Sequence, residues 1–124
     1  MNLLIVDDLP NVVEGIAKDI SWNTLGFSGV FKAYNALEAK GILLSQDISI
    51  MLCDIQMPVE SGLELFTWMK EQKMQVYTIF LTSHAEFEYA QQAIKLGAED
   101  YIVQPAPYTE IFNAVRKAVD KVKK

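Results

Sequence analysis

The chain has 124 residues, of which 51% are hydrophobic, which is enough for one domain around one core and too many for a disordered segment. Its net charge of −5 at pH 7 makes it a poor candidate for nonspecific binding to nucleic acid or to an anionic membrane. The one cysteine, Cys53, excludes a disulfide framework, and no apolar run approaches the roughly 20 residues of a membrane span, so we expect a cytoplasmic location.

The first half of the chain alternates between strand-like and helix-like segments. The short apolar run at residues 3–6 predicts a buried strand, and Pro10 then begins a helix because proline fits the first helical turn. A weaker second strand is predicted at residues 30–34. A helix that Asn35 is expected to cap follows and runs to about residue 45. The apolar run at residues 48–53 predicts the third strand.

The second half continues this alternation. A helix is predicted after Ser61-Gly62, a fourth strand at residues 76–81 and another helix at about residues 86–96. A fifth strand at residues 101–103 precedes a last helix, whose first turn should hold Pro107. Such alternation implies a parallel sheet with helices on both faces. Five strands and about five helices favour a flavodoxin-like, doubly wound α/β fold with strand order 2-1-3-4-5.

Acidic residues stand directly after two of these strands. Asp7 and Asp8 follow the first strand, and Asp54 follows the third. In the predicted order these strands are neighbours at the switch point of the sheet, where ligands bind at the carboxyl ends of strands. Clustered carboxylates repel one another unless a cation lies among them, and an all-oxygen cluster suits Mg²⁺. The sequence therefore predicts a magnesium site of the kind used in phosphoryl transfer.

Further motifs accompany the acidic residues in a fixed order. They are Asp54-Ile55-Gln56-Met57-Pro58 with Gly62, Leu81-Thr82-Ser83, Ala93-Ile94-Lys95-Leu96-Gly97-Ala98, and Asp100-Tyr101. Together with the acidic pair, this series resembles the CheY-like receiver domain of two-component response regulators. Receiver domains of this kind have the strand order 2-1-3-4-5 that is predicted here. The resemblance spans essentially all 124 residues. It implies one receiver domain over residues 1–124, with any output domain outside this chain.

The resemblance assigns roles to the acidic site. Asp54 would be the phosphoacceptor, forming an acyl phosphate with a phosphoryl group from a sensor histidine kinase. Asp8 and Asp54 would bind Mg²⁺ directly, Asp7 would act mainly through water, and the backbone carbonyl of Gln56 would be a further ligand. The domain would be a regulatory module with at most slow self-dephosphorylation, and not a turnover enzyme.

The resemblance also identifies a switch and one departure from the family pattern. Thr82 matches the switch hydroxyl and Tyr101 the aromatic that moves with it, whereas His84 reads as a loop histidine. The family normally has Lys-Pro after the fifth strand, and this chain has Gln104-Pro105. Glutamine donates a hydrogen bond without a charge, so we expect phosphoryl transfer to survive but weaken. Pro105 is expected to keep the family's cis peptide bond.

Phosphorylation would act through the face of helix four, strand five and helix five, which would bind a partner or form a homodimer. Candidate residues on that face are Lys95, Glu99, Tyr101 and Val103. The stretches at residues 21–27 and 86–90 are similar to those of receivers joined to AraC-type (YesN-type) DNA-binding domains. The resemblance therefore implies control of transcription, with DNA bound only by an output domain outside this chain.

Three other functions remain open at this point. A pseudo-receiver would bind proteins without using phosphate, and Gln104 in place of lysine supports that alternative. A phosphatase of the haloacid-dehalogenase type needs a second acid two residues past its nucleophile, where this chain has Gln56. A flavin carrier of the same fold should have Ser, Thr and Gly after the first strand, where this chain has Asp7-Asp8-Leu9-Pro10.

Overall fold

The computed structural model describes residues 1–83 and 87–124, and there it forms one parallel sheet covered by helices on both faces. The strands are β1 (Asn2–Val6), β2 (Gly29–Ala33), β3 (Ile48–Asp54), β4 (Tyr77–Thr82) and β5 (Asp100–Val103). The helices are α1 (Pro10–Asp19), α2 (Ala36–Ser45), α3 (Gly62–Glu71), α4 (Phe87–Lys95) and α5 (Tyr108–Val122), with a short 3-10 helix (Trp22–Leu25) between α1 and β2. The strand order β2-β1-β3-β4-β5 confirms the predicted flavodoxin-like fold.

Strand pairing extends two strands beyond their predicted ends. Asp54 pairs with Leu81 and Thr82 pairs with Val103, so both polar residues belong to the parallel ladder. The last helix begins at Tyr108, one residue later than predicted, because Pro107 has an extended backbone and stands just outside the first turn. The predicted start of α4, at about residue 86, lies outside the described residues.

Alternate residues of the central strands build two cores. Leu4 and Val6 of β1 face the core under α2, α3 and α4, whereas Leu3 and Ile5 face the core under α1 and α5. All four side chains are fully buried. A strand buried on both faces is mostly apolar, and in β1 the buried apolar run ends directly before Asp7 and Asp8. This pattern places the acidic residues at the edge of the sheet.

Helix caps fix where two helices begin beside that edge. The side chain of Asn35 accepts a hydrogen bond from the backbone N–H of Glu38 at 2.8 Å, which confirms the predicted cap of α2. At α3, the Ser61 hydroxyl accepts from the N–H of Glu64, and the Glu64 carboxylate accepts from the N–H of Ser61. Each such cap contributes about 0.5–2 kcal/mol to stability. Within residues 1–83 and 87–124, no helix has the length and apolar character needed to cross a bilayer.

Candidate functional site

Three carboxylates converge at the carboxyl ends of β1 and β3. Each of Asp7, Asp8 and Asp54 offers an oxygen that lies within 4.8 Å of the other two. The convergence follows from strand pairing. Val6 of β1 and Cys53 of β3 are register partners, and the acids follow directly after these two residues. Asp7 is buried, and the other two side chains are partly exposed. The predicted meeting of the three carboxylates is confirmed.

Asp7 is the most enclosed of the three acids, with 4% of its surface exposed. Its carboxylate accepts a hydrogen bond from the backbone N–H of Leu9 at 2.9 Å, and its own N–H donates to the carbonyl of Ala33. The pKa of Asp7 is raised to about 6, chiefly by burial; the Leu9 hydrogen bond lowers it and the neighbouring Asp8 raises it. A cation beside these oxygens would favour the charged form instead.

The backbone around Asp54 is held by close packing. The N–H of Ile55 donates to the carbonyl of Leu81, and the N–H of Gly62 donates to the carbonyl of Ile55 at 2.7 Å. A Cβ on Gly62 would overlap the backbone oxygen of Asp54. Only glycine therefore lets the start of α3 lie directly behind the acid. This close approach fixes the backbone from which the Asp54 carboxylate projects.

The acids open into a cleft of about 390 Å³. Its lining consists of Asp7, Asp8, Leu9, Val12, Asp54, Gln56, Leu81, Thr82, Ser83 and Gln104. Six of these positions were predicted as site residues, namely the three acids with Gln56, Thr82 and Gln104. Leu9, Val12, Leu81 and Ser83 were not, although Leu81 and Ser83 belong to the Leu81-Thr82-Ser83 motif and Leu9 directly follows the acidic pair. The lining offers oxygen ligands for a hard cation and space beside them for a phosphoryl-sized group.

Thr82 and Gln104 are linked across β4 and the end of β5. Thr82 is buried, its hydroxyl donates to the carbonyl of Ser83 at 3.2 Å, and its own carbonyl accepts from the N–H of Gln104 at 2.6 Å. The Gln104-Pro105 bond is cis, as predicted. Among the described residues that line the cleft, none carries a positive side chain. The only charges these residues contribute are therefore those of the three carboxylates.

Tyr101 does not line the cleft. Its half-buried ring lies edge-on to Phe87 of α4, with ring centroids 5.7 Å apart, and packs beside the core under α4. Among the other candidates of that face, Lys95 is exposed and Glu99 is paired with Lys121 of α5. The aromatic contact with Phe87 was not predicted, because nothing in the sequence spacing indicates which α4 side chain reaches β5.

Two sequence features that carried the resemblance lie elsewhere. Residues 21–27 form the short 3-10 helix and its exit, where Trp22 is buried and packs edge-on against Phe27. The Trp22 indole N–H donates to the carbonyl of Ile16 at 2.9 Å, so this segment ties α1 to the core. His84 and the first residue of the stretch at 86–90 lie outside the described residues.

Comparison with known proteins places these features in context. The model of the response regulator receiver domain family matches residues 3–116. The chain is 31% identical over 122 residues to the uncharacterized transcriptional regulatory protein YesN of Bacillus subtilis, covering 98% of this chain and 33% of that protein. It is 33% identical over 125 residues to the response regulator SaeR of Staphylococcus aureus, covering 99% of this chain and 52% of that protein. The chain thus spans one third to one half of these relatives.

Solved structures agree with the fold in detail. The receiver domain of AraT, a response regulator from Geobacillus stearothermophilus, aligns with a TM-score of 0.90 at 31% identity, covering 98% of this chain and 95% of that one. A two-component transcriptional regulator AraC from Clostridium phytofermentans aligns with a TM-score of 0.91 at 29% identity, with the same coverage of 98% and 95%.

Proposed function

The chain belongs to the response regulator receiver domain family of two-component systems, and from that premise we propose that it is a phosphorylation-controlled switch whose acceptor is Asp54. The observation that carries the proposal is the convergence of three carboxylate oxygens within 4.8 Å at one end of the cleft. Such a cluster is unfavourable when it is empty of cations, since like charges raise one another's pKa. The family consists of regulatory phosphoacceptor domains, and we propose at most slow self-dephosphorylation for this member.

The acceptor chemistry requires a carboxylate that a donor can reach. Asp54 is partly exposed and lines the cleft, whereas Asp7 is buried and hydrogen-bonded to the backbone. A carboxylate oxygen of Asp54 would attack the phosphorus of a phosphohistidine on a sensor kinase. The P–N bond would break, its electron pair would pass to the imidazole nitrogen, and an acyl phosphate would remain on Asp54.

The oxygen ligands fit Mg²⁺, as receiver domains generally require. We propose that Asp8 and Asp54 bind the ion directly, Asp7 through water, and Gln56 through its backbone carbonyl. When bound, Mg²⁺ would neutralise charge on the transferring oxygens. Thr82 and Gln104 both line the cleft, and the protein would supply the remaining hydrogen bonds through the Thr82 hydroxyl and the Gln104 amide.

Gln104 would limit the strength of the hydrogen bonds that the protein gives to the phosphoryl group. A hydrogen bond from a charged donor contributes about 1.5–3 kcal/mol, against about 0.5–1.5 for a neutral one. The phosphorylated site would therefore be stabilised less than in receivers that carry lysine at this position. We propose that transfer survives, because the acids and the metal site do not depend on residue 104.

The output would be read from α4, β5 and α5, to which Tyr101 and Phe87 belong. Phosphorylation would shift the equilibrium between two arrangements of this face, and a partner or a second copy of the chain would bind one of them. We propose residues 1–124 as one receiver domain, acting in the cytoplasm and controlling transcription through a DNA-binding output domain outside this chain. The partial coverage of YesN and SaeR supports that arrangement.

A pseudo-receiver is the second candidate, and one observation favours it. No described residue lining the cleft offers a cation to a phosphoryl group. In that case the domain would bind partners through the same face without being phosphorylated. The intact acidic cluster supports the phosphoacceptor instead.

One experiment separates the two functions. The chain is incubated with Mg²⁺ and acetyl phosphate, and its intact mass is measured beside that of Asp54→Asn. The phosphoacceptor gains one phosphoryl group, and the variant gains none. A folded chain that binds Mg²⁺ but gains no mass would support the pseudo-receiver.

A further inference from the structure

Two contacts restrain the connection between β3 and α3, residues 55–61. The first joins the ends of the connection, where the N–H of Gly62 donates to the carbonyl of Ile55 at 2.7 Å. The second lies within it, where the ammonium of Lys40 on α2 forms an ion pair with the Glu60 carboxylate at 2.8 Å. We name residues 55–61 the acid-site loop, because Gln56 within it lines the same cleft as the three acids. Lys40 thus joins α2 to the loop.

The ion pair is more enclosed than a typical surface pair. The side chains of Lys40 and Glu60 are 24% and 26% exposed, whereas those of the Lys32–Glu14 pair are 40% and 50% exposed. The Lys40 ammonium also lies 5.3 Å from the centroid of the Trp68 ring on α3, within cation–π range. Exposed pairs contribute little because water screens them, and partial enclosure strengthens the attraction. The pair therefore restrains the loop more than an exposed contact would.

The loop needs such a restraint because part of its backbone is unfavourable. Val59 has a φ of 71°, a left-handed conformation that is disfavoured for a β-branched residue. Its side chain is fully exposed and gains no packing in exchange. The neighbouring Glu60 holds the turn from one side, since its N–H donates to the carbonyl of Pro58 at 2.8 Å. Strained residues persist where their surroundings fix them, and Lys40 supplies a fixing contact at the adjacent position.

The restrained loop adjoins the acidic cluster on two sides. Gln56 shares the 390 Å³ cleft with the acids. On the other side, Asp8 shares a second cleft of about 410 Å³ with Pro58, Val59 and Glu60. A displacement of the loop would therefore move groups next to Asp8 and Asp54.

We propose that Lys40 is a positioning residue for the acidic site: through Glu60 it holds the acid-site loop, and thereby sets the affinity of the site for a divalent cation. This inference rests on the proposed function, in which Mg²⁺ binds at these acids. Lys40 itself does not line the acidic cleft. Its effect travels through the ion pair and the loop backbone.

The sign of the effect distinguishes positioning from simple electrostatics. Removing a positive charge near an acidic site would, by Coulomb attraction alone, strengthen binding of a cation. Loss of loop positioning would weaken it. Lys40→Met retains most of the alkyl stem beside Trp68 and removes the charge, so the two mechanisms predict opposite changes in the Mg²⁺ dissociation constant.

The test is a titration with MgCl₂ followed by amide chemical shifts in NMR spectra. We expect Lys40→Met to weaken Mg²⁺ binding about tenfold, at the lower end of the range found when a group that supports a metal ligand is lost. Lys40→Arg should retain most of the affinity. Lys32→Met removes the same charge from the exposed pair with Glu14. It should change the affinity for Mg²⁺ by no more than about twofold, because exposed pairs contribute little.

A double-mutant cycle with Glu60→Gln tests whether Lys40 acts through Glu60. In the Glu60→Gln background, Lys40→Met should weaken Mg²⁺ binding no further. Thermal unfolding of each variant shows that it is folded; a purely structural role would lower the melting temperature and leave the dissociation constant unchanged. Unchanged or tighter binding by Lys40→Met, with normal binding by the unsubstituted chain, overturns the inference. Absence of Mg²⁺ binding in the unsubstituted chain overturns the proposed function, and the inference with it.

Discussion

The backbone oxygen of Asp54 occupies the position that a Cβ on Gly62 would need. The N–H of Gly62 meanwhile donates to the carbonyl of Ile55. The start of α3 thus packs directly against the backbone of Asp54. Moving it away would break the 2.7 Å hydrogen bond between Gly62 and Ile55. The position of the Asp54 backbone, and so of the carboxylate that we propose as acceptor, is therefore coupled to the first turn of a helix.

Gly62→Ala should destabilise the fold and disturb the site. The added methyl group must displace backbone, which costs about 1–3 kcal/mol in a well-packed region. Gly41→Ala is the matched control, because a Cβ on this α2 glycine would meet nothing within 4 Å. Alanine there should raise stability by about 0.5–1 kcal/mol, since glycine is unfavourable inside a helix. Urea unfolding measures both changes, and equal effects of the two substitutions would contradict the close approach at Asp54.

Gln104→Lys should lengthen the lifetime of the phosphorylated state or raise its yield. Replacing a neutral donor by a charged one adds about 1–2 kcal/mol, which corresponds to roughly fivefold to thirtyfold in an equilibrium. Intact mass over time after removal of the phosphodonor measures the lifetime. Gln104→Met serves as control, since it has similar length and no donor, and it should shorten the lifetime. Identical lifetimes for all three chains would show that residue 104 does not contact the phosphoryl group.

In the metal-free chain, the contribution of Asp7 to stability should fall as pH rises from about 4 to above 6. The folded-state pKa of Asp7 is raised from 3.8 to about 6, so the folded chain binds this proton more tightly than the unfolded chain. The contribution of Asp7 to the free energy of unfolding is fully present below the unfolded pKa and is lost as pH rises through the folded pKa. The total loss is about 3 kcal/mol. Asp7→Asn should flatten this part of the profile.

Mg²⁺ should oppose that loss, because the cation binds the charged carboxylates and competes with the proton. Urea unfolding between pH 4 and 8, with and without MgCl₂, measures both effects in the chain and in Asp7→Asn. A pH profile that is the same in both chains would mean that Asp7 titrates normally.

Thr82→Val should separate phosphorylation from its readout. Valine keeps the shape of this buried side chain, which lines the cleft, and removes its hydroxyl. We expect mass gain on Asp54 to persist, while amide shifts on α4 and β5 caused by phosphorylation are largely lost. Thr78→Val, at a buried position of the same strand that does not line this cleft, is the control and should respond like the unsubstituted chain. A full α4 response in Thr82→Val would exclude the hydroxyl from the switch.

The fold and the acidic cluster could be predicted because they depend on local pattern and one topological rule. Apolar runs specify buried strands, and adjacent parallel strands bring Asp7, Asp8 and Asp54 to one edge. The extension of β3 to Asp54 and of β4 to Thr82 could not be predicted, since it depends on the partners that Leu81 and Val103 provide.

Contacts between a helix and another element could likewise not be predicted from the sequence. The pair Lys40–Glu60 and the ring contact Phe87–Tyr101 depend on how α2 and α4 settle on the sheet. No periodicity indicates them, because each joins residues of separate elements whose relative rotation is set by packing. The left-handed backbone at Val59 was also unforeseen, since valine is not a residue that indicates such a conformation.

The pairing of β5 with β4 has a consequence for the order of events during synthesis. The cleft draws its lining from the chain between Asp7 and Gln104, and the last of these residues is held by its N–H to the carbonyl of Thr82. A nascent chain on the ribosome that has not yet released residue 104 therefore lacks a complete cleft. The cleft is therefore completed only when β5 has joined the sheet, and an unfinished copy of the domain would lack the part of its wall that Gln104 forms.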